Sequence, residues 1–111
     1  MVRHRLCAVS ELAEGQARQF ALPLAERPLE AFVVNWRGRL HAYINSCPHT
    51  GVALNWLPHE FFDLDGQHIQ CAMHGALFRP DDGYCLWGPC VGRALSPLAI
   101  EVQDGVAYAC L

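Results

Sequence analysis

The 111-residue sequence has no long hydrophobic run. Charged residues, proline or glycine interrupt every apolar stretch before it approaches the length of about 20 residues that a transmembrane helix requires. The first residues are not followed by the apolar segment of a secretory signal. We therefore expect a soluble, cytoplasmic protein that does not associate with membranes.

The sequence also lacks a concentration of basic charge. The formal net charge is −3, and the only local basic cluster, Arg3-His4-Arg5, is too short to form an electrostatic footprint for nucleic acid. There is no phosphate-binding loop, no nicotinamide fingerprint and no paired nucleophile and base. These absences predict a protein that binds no nucleic acid and catalyses no reaction on its own.

Length and composition favour one compact globular domain over residues 1–111, since 52% of the residues are apolar and 17% are charged. Six cysteines in a reducing compartment are more often ligands and buried thiols than a disulfide framework. We expect Cys7 and Cys110 to be small buried apolar residues. For Cys85 and Cys90 free thiols are favoured, although a disulfide between them stays open.

Short segments rich in β-branched and aromatic residues alternate with glycine and proline turns along the chain. The clearest pair is a hairpin formed by residues 30–36 and 40–45 around the turn Arg37-Gly38-Arg39. Other predicted elements are strands at 4–9, 17–22, 68–71, 98–102 and 106–110, a single capped turn at 10–15, and a strand–turn–strand unit at 77–84. The pattern predicts an all-β fold of antiparallel sheets in a sandwich or barrel-like base.

Two short stretches each carry one cysteine and one histidine. Cys47-Pro48-His49-Thr50-Gly51 has C-x-H spacing, and Cys71-Ala72-Met73-His74-Gly75 has C-x-x-H spacing. Thiolate and imidazole suit zinc, copper or iron–sulfur centres. The pairing predicts a metal site divided between two loops, which on residue types alone includes a structural zinc bound by two cysteines and two histidines.

These motifs resemble the signature of the Rieske iron–sulfur family, and the downstream Gly88-Pro89 is similar to the proline loop of that family. The resemblance implies a Rieske-type fold with a small cluster-binding subdomain of two loops, at about residues 45–91. It further implies one 2Fe-2S cluster per chain, in which two cysteines bind one iron and two histidines bind the other through Nδ1. The implied ligands are Cys47, His49, Cys71 and His74.

The residues around the ligands indicate the reduction potential. High-potential members of the family carry an additional cysteine in each loop, at the positions of Val52 and Met73. They also place serine and tyrosine hydroxyls near the cluster sulfurs, where this chain has Ala76 and Phe78. Since fewer hydrogen bonds to sulfur stabilise the reduced state less, we expect a potential toward the low end of the Rieske range of roughly −150 to +300 mV.

The resemblance implies a one-electron carrier, a Rieske-type ferredoxin of a multicomponent dioxygenase system or a similar system. A flavin-containing reductase would reduce it, and an oxygenase or other terminal redox enzyme would oxidise it. The alternatives are the small Rieske subunit of an assembled reductase, such as a nitrite reductase, and the structural zinc module.

The spacing between the two motifs differs from the family pattern. A gap of 21 residues separates His49 from Cys71, which is a few more than is usual, and we place the additional length at residues 58–66. We expect Phe61 and Phe62 in this insertion to point inward. The other histidines have no partner at ligand spacing and are expected to be ordinary surface or strand residues: His4, His41, His59 and His68.

Overall fold

The computed structural model describes residues 3–23, 28–48, 51–73 and 75–110, and this part of the chain contains nine β-strands. The strands are β1 Arg3–Ala8, β2 Ala17–Leu22, β3 Leu29–Trp36, β4 Arg39–Ile44, β5 Ile69–Gln70, β6 Leu77–Phe78, β7 Cys85–Trp87, β8 Ile100–Gln103 and β9 Val106–Cys110. They form a terminal sheet of order β1-β9-β8, a central sheet of order β2-β3-β4 and a loop sheet of order β5-β6-β7, all antiparallel. The all-β prediction is confirmed, and no helix in the described ranges is long and apolar enough to cross a membrane.

Strand β3 is buried on both faces and separates two hydrophobic cores. Because side chains alternate across a strand, Ala31 and Val33 belong to the core between the terminal and central sheets. Phe32 and Val34 belong to a second core, which extends to the loop sheet and to the two cysteines of the predicted site. All four side chains are at most 1% exposed. The strand therefore connects the base of the fold to the part that carries the site.

The predicted hairpin around Gly38 is confirmed, with a tighter turn than expected. Trp36 pairs directly with Arg39, so the connection has only two residues. Both of them have positive φ, 54° at Arg37 and 83° at Gly38, as in the type I′ turns that match the twist of paired strands. As a result β4 begins one residue earlier than predicted and leads directly into the first cysteine loop.

The closing strand β8 begins at Ile100, two residues after the predicted start at Leu98. The reason is that the preceding segment pairs with the central sheet. The N–H of Leu98 donates to the carbonyl of Ala42 at 2.9 Å, and the N–H of Ile44 donates to the carbonyl of Ser96, also at 2.9 Å. Residues 96–98 thus cross from one sheet to the other before β8 begins.

Two local predictions at the chain ends need correction. The single turn is a 3-10 turn at Val9–Glu11, earlier than predicted, and it is capped by Glu11 Oε1, which accepts from the N–H of Ala8 at 2.8 Å. Cys7 is buried as predicted, but the prediction for Cys110 is wrong because this residue is partly exposed. Alternation along β9 turns its alanines inward and Cys110 outward.

The predicted insertion is an ordered extension of the loop sheet. Phe62 forms a bridge with Ile69, and the N–H of Gln70 donates to the carbonyl of Phe61 at 2.8 Å. The turn between them is fixed by the Asp63 carboxylate, which accepts from the N–H groups of residues 67 and 68 at 3.0 and 3.3 Å. Strand β5, at Ile69–Gln70, is shorter than the predicted 68–71.

The two phenylalanines of the insertion differ in burial. Phe61 is 1% exposed and stacks on Phe32 with 4.0 Å between ring centroids. Phe62 is partly exposed and stacks on Trp36 at 6.2 Å. The inward orientation is therefore complete for Phe61 and partial for Phe62. The Phe61 ring joins the insertion to the face of β3 that lies toward the site.

Replacing Phe61 with alanine should lower the free energy of unfolding by about 3–5 kcal/mol, because it removes a fully buried ring and leaves a cavity against Phe32. Phe62→Ala is the matched control, and it should cost clearly less because that ring is partly solvated. Urea unfolding of both variants measures the difference. Equal losses would show that the Phe61–Phe32 stack does not anchor the insertion.

Candidate metal centre

The first cysteine loop is closed at its neck by two backbone hydrogen bonds. The N–H of Cys47 donates to the carbonyl of Val52 at 2.8 Å, and the N–H of Gly51 donates to the carbonyl of Cys47 at 2.7 Å. Gly51 has φ +78°, a conformation that glycine adopts without steric cost. The closure fixes the backbone of the cysteine at the start of a six-residue loop.

The second cysteine loop repeats this closure. The N–H of Cys71 donates to the carbonyl of Ala76 at 2.9 Å, and the N–H of Gly75 donates to the carbonyl of Cys71 at 2.8 Å. Gly75 has φ +70°. Each loop therefore has cysteine in its first position and glycine in its fifth, and the different motif spacings put the histidine third in one loop and fourth in the other.

The two cysteines bring their thiols into one buried core. Cys47 is 1% exposed and Cys71 is 0% exposed, and both belong to the core that includes Phe32 and Val34. A thiolate in such surroundings is strongly disfavoured unless a cation compensates its charge. The donor set on the cysteine side therefore fits an iron–sulfur cluster bound by two buried thiolates.

The two predicted histidine ligands, His49 and His74, lie outside the described residues. Within the ranges that the structure describes, no group of three or more histidine, cysteine, aspartate or glutamate side chains is placed to bind a metal ion. Two of the four predicted ligands are not among those residues. The assignment of all four ligands therefore stays a prediction at this point.

A buried amide connects the cysteine loops to the central sheet. Asn45 Oδ1 accepts from the N–H of Leu54 at 2.8 Å, and Asn45 Nδ2 donates to Asn55 Oδ1 at 3.0 Å. The carbonyl of Leu54 in turn accepts from the N–H of Ala72 in the second loop at 2.7 Å. The sequence analysis did not predict this role of Asn45, although a polar residue directly after a strand and two positions before a predicted ligand was a possible signal.

A third loop, at residues 87–92, packs against the second cysteine loop. A Cβ atom added to Gly88 would lie 2.8 Å from Ala76 Cα and 3.0 Å from Ala76 Cβ, so only glycine permits this approach. A Cβ on Gly75 would lie 3.7 Å from Cζ3 of Trp87. The loop containing the predicted Gly88-Pro89 motif therefore lies directly on the second loop.

The third loop is also joined to the first cysteine loop. Arg93 Nη1 donates to the carbonyl of Pro48 at 3.1 Å. The backbone of Arg93 bonds on both sides, from its N–H to the carbonyl of Cys90 at 2.9 Å and from the N–H of Cys85 to its carbonyl at 2.8 Å. The third loop is thus packed on the second cysteine loop and joined by Arg93 to the first.

Cys85 and Cys90 are free thiols, as favoured from the sequence, and their sulfur atoms are 3.1 Å apart. Cys85 Sγ also contacts the carbonyl of Trp87 at 3.4 Å. Burial, followed by the hydrogen bond with Cys85 and then the proximity of Cys47, raises the pKa of Cys90 above its usual value. The raised pKa favours the protonated form of the Cys90 thiol.

The four positions that indicated a low potential fall into two classes. Val52 and Met73, at the positions of the additional cysteines in high-potential proteins, are 38% and 53% exposed. Ala76 and Phe78, at the positions of the hydroxyl donors, are fully buried. Neither buried side chain carries a donor. The described surroundings of the site thus contain apolar side chains at all four of these positions.

Replacing Gly88 with alanine should destabilise the protein by about 1–3 kcal/mol more than replacing Gly92, and should reduce the iron content. Both glycines have positive φ, +110° and +92°, so both substitutions strain the backbone. Only at Gly88 does the added methyl group collide with Ala76, while nothing lies within 4 Å of the corresponding position at Gly92. Urea unfolding and iron analysis test this, and equal effects would contradict the close packing of the third loop.

Several solved structures have a similar fold. A chain in the complex of reduced oxygenase and oxidised ferredoxin in carbazole 1,9a-dioxygenase has a TM-score of 0.76 and 23% identity, with 97% of this chain and 92% of that chain covered. The Sphingomonas yanoikuyae B1 ferredoxin has a TM-score of 0.69 and 21% identity, with 97% of both chains covered. These similarities show the fold.

The terminal oxygenase of carbazole 1,9a-dioxygenase from Novosphingobium sp. KA1 contains the same fold within a longer chain. The TM-score is 0.75 and the identity 22%, and the match covers 96% of this chain but only 29% of the oxygenase. No curated protein sequence matches the chain significantly.

The model of the Rieske [2Fe-2S] domain matches residues 2–104 of the chain. This range contains both cysteine loops and the third loop, and it includes every strand except β9. The match favours a cluster over the zinc alternative. The chain therefore belongs to the Rieske [2Fe-2S] domain family, whose cofactor is a Rieske-type [2Fe-2S] cluster.

Proposed function

We propose that the chain is a one-electron carrier, a Rieske-type ferredoxin. The observation that carries this proposal is the pair of identically closed loops, which present Cys47 and Cys71 to one buried core of a Rieske domain. When bound, the cluster supplies a one-electron couple. The chain binds the cluster and buries it.

The proposed ligands are Cys47 and Cys71 on one iron and His49 and His74 on the other. The burial of both thiols supports the cysteine half of the assignment. The motif spacing and the family membership support the histidine half. The buried, donor-free side chains of Ala76 and Phe78 support a potential toward the low end of the Rieske range.

The proposed partners are a flavin-containing reductase and an oxygenase or other terminal redox enzyme. The similarity in fold to ferredoxins along nearly their whole length supports a separate carrier. We further propose that residues 1–111 act as one Rieske domain with a cluster-binding subdomain at about 45–91. Six free thiols support a location in the reducing cytoplasm.

The surface around the site favours contact with a partner through apolar groups. Residues 47–58, 71–78 and 83–92 contain no aspartate, glutamate, lysine or arginine. Exposed apolar side chains come from all three loops, with Val52 38%, Met73 53% and Trp87 61% exposed. Exposed apolar groups that come together at a functional site are typical of protein interaction surfaces.

The purified protein should show the absorption bands and, after reduction with dithionite, the EPR signal of a Rieske cluster. His49→Ala and His74→Ala should each abolish that signal, because each removes an iron ligand. His4→Ala is the matched control and should retain it, since His4 lies in β1 of the terminal sheet. A Rieske signal that survives either ligand substitution would refute the histidine assignment.

The reduced protein should deliver one electron per chain to an added acceptor. We expect photoreduced protein, freed of excess reductant, to reduce cytochrome c with a stoichiometry of one haem per chain, because one cluster changes its charge by one electron. Stopped-flow absorbance at the haem bands measures the yield. The His74→Ala variant is the control and should yield no reduction, and a wild-type yield near two or near zero would contradict a one-electron carrier.

A further inference from the structure

Two buried cysteines are not among the proposed ligands of the metal centre. Cys85 and Cys90 are 0% and 1% exposed, and neither belongs to a C-x-H or C-x-x-H motif. Their sulfur atoms are 3.1 Å apart, which exceeds the length of a disulfide bond by only about 1 Å. The pair is therefore placed for a covalent bond that requires little movement of either side chain.

The two thiols are oriented for this bond. Cys90 donates its S–H to the sulfur of Cys85, and Cys85 directs its own hydrogen to the carbonyl of Trp87 at 3.4 Å. A lone pair of the Cys85 sulfur therefore faces Cys90. The backbone holds both residues through Arg93, whose carbonyl accepts from the N–H of Cys85 at 2.8 Å and whose N–H donates to the carbonyl of Cys90 at 2.9 Å.

Cys90 is a buried residue of an otherwise exposed loop. Its neighbours Pro89, Val91 and Gly92 are all exposed. Within the loop, the N–H of Val91 reaches the carbonyl of Gly88 only at 3.3 Å. Segments with few buried apolar contacts open locally at a low free-energy cost, without unfolding of the core. A small oxidant can therefore reach the Cys90 sulfur when the loop opens.

We propose that Cys85 and Cys90 form a reversible oxidation site, in which a peroxide converts the two thiols into a disulfide across the base of the third loop. The deprotonated sulfur of Cys90 attacks one peroxide oxygen, the O–O bond breaks, and a sulfenic acid and one water form. The sulfur of Cys85 then attacks the sulfur of Cys90, the S–O bond breaks, and the leaving hydroxide takes the proton of Cys85 as a second water. Two thiols thus lose two electrons and two protons, which reduce one peroxide to two waters.

The disulfide would close the third loop at its base and hold Gly88 against Ala76 of the second cysteine loop. Because reducing compartments keep thiols reduced, the bond is transient in the proposed cytoplasmic location. The pair therefore responds to oxidant and is not a permanent cross-link. It includes no proposed metal ligand, so the inference does not depend on the proposed function.

Peptide mass spectrometry of the peroxide-treated, cluster-containing protein tests the proposal. Chymotrypsin cuts after Tyr84 and Trp87 and so separates Cys85 from Cys90. We expect hydrogen peroxide to join these two peptides, with the loss of two thiols per chain, and dithiothreitol to separate them again. In Cys85→Ser the disulfide cannot form, and dimedone should trap a sulfenic acid on Cys90. Cys7→Ser is the matched control: it removes a buried thiol of the other core and should keep the wild-type yield.

Wild-type peptides that stay separate, or a disulfide from Cys90 to Cys47 in place of Cys85, would overturn the proposal. The wild-type measurement requires no substitution, so it decides the question even where Cys85→Ser fails to fold. Absence of a Rieske signal in the untreated protein would instead refute the proposed function, and the peptide result would still stand.

Discussion

The backbone hydrogen bonds that close the two cysteine loops are the constraint on which the rest of the structure depends. Each closure fixes a cysteine at the neck of a loop and requires a glycine with positive φ four residues later, Gly51 in one loop and Gly75 in the other. Two thiols that converge in an apolar core cannot rely on water to stabilise their ionised forms. Their backbones must therefore be positioned in advance by the strands that precede them, and the hairpins of the central and loop sheets provide this.

Strand β3 connects the base of the fold to the core that contains the thiols, because its central residues are buried on both faces. Ala31 and Val33 join the base of the fold, while Phe32 and Val34 join the core that contains the thiols. Phe61 stacks on Phe32, so the insertion between the two cysteine loops contributes to the same core. A change in the packing of either core therefore affects β3, because both cores share this strand. The site is thus supported by side chains that are far from it in sequence.

The parts of this arrangement that depend on local sequence could be predicted, and those that depend on contacts between distant segments could not. The turn at Arg37-Gly38 and the spacing around Cys47 are properties of a few adjacent residues. The delayed start of β8 results from the bond between Leu98 and Ala42, which no local pattern reveals. The bond from Arg93 to the carbonyl of Pro48 likewise joins segments that are distant in sequence.

The lack of charge in the three loops is consistent with the electrical neutrality of the proposed centre. Two ferric ions and two sulfides carry a formal charge of about +2, which two thiolates cancel, and neutral imidazoles add nothing. A centre with four thiolates would be a dianion and would need donors or cations around it. Because the mixed ligand set needs none in its oxidised state, the loops can consist of apolar and small residues. Each hydrogen bond to a ligand sulfur would then act mainly on the added electron.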